Sequence, residues 1–347
     1  MTPADKFKSL FPKAVFLDFS TQDWVKILYQ NSWVGPSDTI LSIEKPGEGN
    51  MNFVVRVKTT SKTIILKQSR PWVEKYPQVA APVERVTVEA GFYEAVSNDD
   101  FYKRFCPRII GFDPAHFLLA MEDLGHGADC TAMYNRNNPM PDEEVSVLIE
   151  FISHLHNTPL PNKERFPDNT PLKKLNHTHI FHFPYLEENG FNLDTVQEGL
   201  QRESMKYKTN EVLKDNLTDL GKVYLQTGDI LLHGDYYPGS WLRTPSGIKI
   251  IDPEFSHYGR AEFDIGVMAA HLLMGHVKIA QLTELMGRYR MPAEFNRSLF
   301  SRFCGAEILR RIIGLAQLPL DLSLSEKSVM LRRAEQMILH PETQTII

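Results

Sequence analysis

The sequence predicts an α+β fold in two lobes, a small antiparallel β-rich N-terminal lobe and a larger, mainly helical C-terminal lobe. Three observations carry this expectation. β-branched runs cluster between residues 39 and 69, separated by a glycine-rich break and a polar turn. From residue 142 onward, apolar residues recur at helical spacing. Between these regions, Glu122-Asp123-Leu124-Gly125 reads as a linker. The expected organisation is an N-terminal lobe over 1–121 with a helical segment at its start, a hinge over 122–126, and a C-terminal lobe over 127–347.

Residues 7–32 mix large apolar and polar side chains at roughly helical spacing and predict one or two short helices. Strands follow at 39–44, 53–59 and 63–67. Pro46-Gly47-Glu48-Gly49-Asn50 breaks the first pair and Thr60–Lys62 the second, which predicts a three-stranded meander. Residues 82–97 open with a proline at a helix-start position and predict a helix, and 115–121 a strand. The stretch from Asp142 places Val145, Leu148, Ile149, Ile152 and Leu155 on one face, behind acidic residues in the first turn. Residues 159–192, rich in Pro, Asn and His, read as an irregular insertion. A helix at 210–227 is followed by short strands at 230–232, 241–243 and 248–252, and residues 262–340 read mostly as helices.

Composition narrows the function. The 347 residues carry 38 Lys and Arg against 43 Asp and Glu, a net charge of −5, which argues against a general nucleic-acid binder. Three scattered cysteines, Cys106, Cys130 and Cys304, form neither a disulfide framework nor a zinc signature and suit a reducing, cytoplasmic setting. The N-terminus does not read as a signal peptide, and with no run of about 18 apolar residues no membrane span is expected.

The turn at Gly47, Gly49 and Asn50 joins two strands rather than a strand to a helix, which weakens a dinucleotide-fold reading. It is either an ordinary hairpin turn or a place where backbone N–H groups approach phosphates. Lys67 ends the apolar run Ile64-Ile65-Leu66 and is either a snorkelling edge charge or a phosphate ligand. Glu89, in the following helix, is spaced to pair with it, the arrangement protein kinases use to hold the α- and β-phosphates. The most specific segment is Leu232-His233-Gly234-Asp235, a strand running into a tight loop that presents one aspartate. Seventeen residues later comes Ile251-Asp252-Pro253-Glu254. In an extended segment i and i+2 share a face, so Asp252 and Glu254 are expected to converge as oxygen ligands for Mg²⁺, leaving Asp235 as base for a substrate hydroxyl.

HGD followed by IDPEF, after a glycine hairpin and a strand lysine, resembles the aminoglycoside phosphotransferase and choline kinase superfamily, small-molecule kinases with a bilobal protein-kinase-like fold. Within it, GEGNMNFVVRV (47–57), IILKQSRPWVEKYP (64–77), HGDYYPGSWL (233–242), IIDPEFSHYGRAEFDIG (250–266) and RRIIGLAQ (310–317) look most like methylthioribose kinases. The resemblance implies an ATP- and Mg²⁺-dependent kinase of a sugar-like alcohol; an aminoglycoside, choline or homoserine kinase, or a non-catalytic nucleotide-binding member, are the alternatives. It implies Asp235 as catalytic base, Asp252 and Glu254 with Ser240 at the metal, and Lys67 on the nucleotide phosphates under the 47–50 turn. Glu122 to Leu124 would lie against adenine, and Asp264 would brace the catalytic loop. Arg310 and Arg311 match an arginine pair near the transferred phosphoryl group, the other reading being a solvated helix face. The partners implied are ATP and a small-molecule acceptor, with no nucleic acid or membrane; a homodimer is what the resemblance suggests. Tyr236-Tyr237-Pro238 departs from the Leu-His-Thr of methylthioribose kinases, and 159–192 has no matching stretch.

The remaining histidines have plainer readings. His177, His179 and His182 form H-x-H-x-x-H but lack carboxylate partners at helical spacing, which weighs against a metal site. His154 and His156 near a helix end suit capping or packing, and His233 a backbone hydrogen bond near the loop.

Overall fold

The computed structural model describes residues 2–20, 22–47, 51–159 and 163–343. They form two compact units whose division does not follow the chain. Unit 1 comprises Met1–Gly127, Leu160–Leu172 and Lys249–Phe255, and unit 2 comprises Ala128–Pro159, Lys173–Ile248 and Ser256–Ile347.

Unit 1 opens with helices α1 (Pro3–Leu10) and α2 (Val25–Gln30). Thr2 caps α1 in a capping box with Asp5, with Pro3 at the first helical position. Strands β1 (Ile40–Glu44), β2 (Phe53–Thr59) and β3 (Thr63–Gln68) form the expected meander. Two strands complete an antiparallel sheet of order β1-β2-β3-β5-β4: β4 (Ile109–Asp113), absent from the sequence reading, and β5 (Leu118–Glu122). β4 escaped because Gly111 and Asp113 interrupt its short apolar run. One face of the sheet packs Val55, Val57, Ile64, Leu66, Leu118 and Ala120 against Trp24, Leu28 and Trp33. Helix α3 (Arg85–Val96) buries Val88, Phe92 and Val96, and with them two charged residues, Arg85 and Glu89. Helix α4 (Asp100–Lys103) precedes β4.

Unit 2 is mainly helical. Strand β6 (Ala128–Asp129) pairs with β8 (Trp241–Thr244), after which β9 (Gly247–Ile250) begins. Strand β7 (Ile230–Leu232) pairs antiparallel with β10 (His257–Gly259). Helix α5 (Asp142–Asn157) buries the predicted face. The 159–192 region is not irregular throughout: helix α6 (Thr170–Phe181) runs through it, starting over Thr170-Pro171 with the proline in its first turn. Helices α7 (Leu200–Lys208), α8 (Glu211–Leu225), α9 (Ala261–Met274), α10 (Ile279–Met286), α11 (Arg297–Ile313) and α12 (Leu324–Leu339) complete the unit.

Helix α11 is buried along most of its length, packed between α9 and α12. The approach to α12 is so close that a Cβ at Gly305 would stand 2.5 Å from the carbonyl oxygen of Ala334. No rotamer relieves a contact with backbone, so Gly305→Ala must push two helices apart. Overpacking of this kind costs about 1–3 kcal/mol. The expected result is a lower urea midpoint with an unchanged slope.

Candidate active site

In unit 1, antiparallel pairing places Lys67 near the end of β3, opposite Val54 on one side and Leu119 on the other. The side chain does not snorkel. It is 5% exposed, and its Nζ lies 2.6 Å from Oε1 of Glu89 and in contact with Oδ1 of Asp252. Burial works against the ammonium, but Asp252, Glu89 and Glu254 outweigh it and raise its pKa. Burial raises Glu89 in turn, against the pull of Lys67.

Asp252 and Glu254 are brought here differently from the sequence expectation. β9 ends at Ile250, Asp252 has φ +63°, and Pro253–Phe255 form a 3₁₀ turn. The segment is a kink, not an extended strand, so alternation does not explain the placement. A non-glycine residue in the left-handed region carries strain, which structures retain where the position matters. Glu254 is buried, with Oε2 accepting from Nδ2 of Asn52 at 2.9 Å and 3.2 Å from Nε of Arg85. Arg85 is fully buried and donates to Asn52 and to the carbonyls of Met51, Arg70, Trp72 and Pro82. One guanidinium therefore ties the residues after the glycine turn, the end of β3 and the start of α3 to Glu254. Asp252 exposes 43% of its side chain, unlike Glu89 and Glu254. An exposed hard oxygen donor beside a fixed ammonium fits a magnesium–nucleotide chemically.

In unit 2 the loop after β7 is held from below. Asp264, buried in the first turn of α9, accepts from the backbone N–H of His233 at 2.7 Å and of Gly234 at 3.0 Å. Burial alone would raise the Asp264 carboxyl, but His156, His233 and the Gly234 N–H lower it. His156 Nε2 lies 3.4 Å from Asp264, and its Nδ1 is 2.7 Å from Tyr289 Oη. The Asp264 carboxylate can only accept, which puts the ring proton on Nε2 and leaves Nδ1 to accept from the tyrosine hydroxyl. Gly234 has φ +82°, a conformation that favours glycine. The loop closes through Ser240, whose Oγ donates to the Asp235 carbonyl at 2.9 Å. Ser240, expected at a metal, is 1% exposed and braces this loop.

Asp235 faces Arg311 of the arginine pair. Nη2 of Arg311 is 3.6 Å from Oδ1 of Asp235, and the Arg311 guanidinium lies 4.8 Å from the Tyr237 ring centre. Neither arginine is a solvated surface group, at 8% and 5% exposure. Arg310 turns instead to Asn176, 3.2 Å from Oδ1. Both guanidiniums meet Glu307, which spacing alone did not single out although E-x-x-R-R puts it at i−3 and i−4 on one helix face. Burial would raise the Glu307 carboxyl, but Arg310 and Arg311 hold it well below the usual range. Its other partner is the buried His271, Nε2 at 3.0 Å.

The remaining expected residues scatter. Gly47 follows β1, and Gly49 and Asn50 lie outside the described residues. Glu122 ends β5, 3.7 Å from Arg108. Asp123 pairs with Arg56 of β2 at 2.8 Å, fixing the stretch that leads to Leu124. His177 sits on α6 against the rings of Phe181 and Tyr224. Tyr236 and Tyr237 part company. Tyr236 is buried, stacked on Phe151 and bonded to the Leu148 carbonyl, so only Tyr237 faces the arginine.

Burial pushes His271 down to about 4 from its usual 6.5. The folded state then takes up its proton later than the unfolded chain, so stability is lost as pH falls from 6.5 towards 4. Between pH 7 and pH 5 this residue alone costs about 2 kcal/mol. Urea denaturation at the two pH values should show a smaller drop for His271→Asn than for the wild type.

The phosphotransferase enzyme family model matches residues 42–298. A methylthioribose kinase of Exiguobacterium sibiricum is 26% identical over 364 residues, covering 91% of this chain and 90% of that protein. Methylthioribose kinase 1 of Oryza sativa is 25% identical over 70% of this chain and 58% of its own length. Among solved structures, a Plasmodium vivax ethanolamine kinase matches with a TM-score of 0.55 at 15% identity, covering 100% of this chain and 96% of that one. A choline kinase from Cryptosporidium parvum matches with a TM-score of 0.52 at 14% identity, covering 93% and 96%. The structural matches give the protein-kinase-like fold, and with the family match over most of its length the chain belongs to the phosphotransferase enzyme family.

Proposed function

We propose that the protein is an ATP-dependent kinase of a small sugar-like alcohol, 5-methylthioribose or a close relative, and that it passes the γ-phosphoryl group to an acceptor hydroxyl. The observation that carries this reading is one loop carboxylate, Asp235, held in place through Asp264 and set 3.6 Å from the guanidinium of Arg311. A carboxylate so fixed accepts the proton of an alcohol, and the guanidinium beside it meets charge developing on the transferred group. Phosphoryl transfer asks little more of a protein than positioning and charge stabilisation. The methylthioribose kinases aligned along most of the chain support the acceptor class.

Lys67, steadied by Glu89, holds the nucleotide phosphates, and the turn at Gly47, Gly49 and Asn50 covers them. Glu122 and Leu124 flank the segment against which adenine lies. Asp252 and Glu254 hold Mg²⁺, which when bound neutralises charge on the phosphate oxygens. Ser240, placed at the metal by the resemblance, also closes the loop onto the Asp235 carbonyl. The charge around Asp235 favours an uncharged acceptor over choline or an aminoglycoside. Arg310 and Arg311 lie on this side, and the one carboxylate between them, Glu307, is already committed to both.

ADP release measured with Mg²⁺-ATP against a panel of alcohols tests the reading directly. Methylthioribose should be turned over and choline and aminoglycosides should not; a preference for a cationic acceptor would sink it. Asp235→Asn should lose about 10²–10⁴-fold in kcat while retaining nucleotide binding. Asp252→Ala should weaken nucleotide binding only when Mg²⁺ is present, as read by calorimetry with and without the ion. Glu254→Ala should also lower Tm, because it leaves Arg85 buried without its carboxylate, a loss of about 3–5 kcal/mol.

A further inference from the structure

The geometry points to Glu307 as a positioning residue for the reaction, the group that fixes the orientation of Arg311 beside Asp235. This rests on the reading of Asp235 as the base and Arg311 as the phosphoryl-facing cation.

Three observations support it. First, Glu307 is 1% exposed and its Oε1 lies 2.6 Å from Nε of Arg311. Anchoring the guanidinium at Nε fixes the neighbouring Nη2, which approaches Asp235 at 3.6 Å. Second, the guanidinium carbon lies over the Tyr237 ring, 4.8 Å from its centre, and that ring also packs 5.3 Å from the His271 ring. A guanidinium bonded at Nε and packed over a ring has little freedom to rotate. Third, Glu307 is itself held from behind. His271, fully buried, places Nε2 at 3.0 Å from the same Oε1, and its Nδ1 lies 2.7 Å from Tyr134 Oη. The Glu307 carboxylate can only accept, so Nε2 carries the hydrogen and donates to it, and Nδ1 accepts from Tyr134 Oη. The result is one continuous file, Tyr134–His271–Glu307–Arg311–Asp235, running from the core to the loop.

Charge neutralisation by itself would not require this arrangement. Arg310 shares the same carboxylate, with Nε 3.5 Å from Oε2, yet it turns to Asn176. Only Arg311 receives the short Nε contact and is aimed at the loop aspartate. Transition-state stabilisation depends on donors set in place before charge develops, so loosening Arg311 should lower kcat with little effect on KM.

A double-mutant cycle tests this, using Glu307→Gln, Arg311→Lys and the two combined, with steady-state kinetics on Mg²⁺-ATP and the acceptor that the wild type phosphorylates. Glu307→Gln keeps the shape and one acceptor oxygen but removes the charge. The expected result is a fall in kcat of at least about tenfold with both KM values within about threefold of wild type. The double variant should be no slower than the slower single variant, within about threefold. Effects on kcat that multiply, or a folded Glu307→Gln with kcat within about twofold of wild type, would overturn the proposal. Should Glu307→Gln not fold, His271→Leu decides the matter, since it removes one of the carboxylate's three partners without stranding a charge. Its kcat should fall in the wild-type background and not in Arg311→Lys; an equal fall in both backgrounds overturns the proposal. Activity of Asp235→Asn near the wild-type level would instead refute the underlying reading, and it is measured separately.

Discussion

A charged side chain withdrawn from water loses several kcal/mol of hydration unless opposite charge meets it in good geometry, and in this protein the partners come from far along the chain. Lys67 on β3 is met by Glu89 of α3 and by Asp252, which is 185 residues away. Arg85 is met by Glu254 from the same distant segment. In unit 2, Arg311 reaches Asp235, 76 residues away, while the carboxylate it shares with Arg310 lies on its own helix. These pairings fix which segments must lie together. The apolar packing of the sheet and of α11 supplies most of the driving force, but hydrophobic contact is not directional. The ion pairs decide the orientation of the functional groups that the packing brings close.

The same economy shows in the loop after β7. Its carboxylate Asp264 takes two backbone N–H groups that would otherwise be buried without partners, and Ser240 closes the loop on its far side. Two adjacent tyrosines then divide the work. One ring is committed to the core and the next lies over a guanidinium. A change at Tyr236 therefore acts through packing, and a change at Tyr237 acts at the site itself.

Much of this was legible in the sequence. The meander was, because β-branched runs and turn residues follow the strand period, and so was α5, whose apolar stripe and acidic first turn are unambiguous. β4 was not, because a short run containing Gly111 has no alternation to detect, and α6 was obscured by its Pro, Asn and His content. The segment bearing Asp252 and Glu254 was recognised for the wrong geometric reason, since a kink with positive φ replaces the extended strand. Asn52, Arg85, Glu307, His271 and Tyr134 were missed. A buried arginine or glutamate looks on paper like any exposed one, and only the i, i+3, i+4 spacing of Glu307 with the arginines carried a signal. Tyr134 and His271 are 137 residues apart, and nothing in their local sequence announces that they meet.

The division of the chain into units has a consequence for its synthesis. Unit 1 is made of three stretches, and the last, Lys249–Phe255, emerges from the ribosome only after all of α8 and β8 has been translated. Until then the nascent N-terminal region holds Lys67 without Asp252 and Arg85 without Glu254. Its sheet can collapse, but the cations beside it keep a claim on water, so the unit cannot reach its final packing one element at a time. Maturation of the first unit is thereby postponed to a late, cooperative step, and Lys67 acquires its full set of partners only when most of the polypeptide already exists.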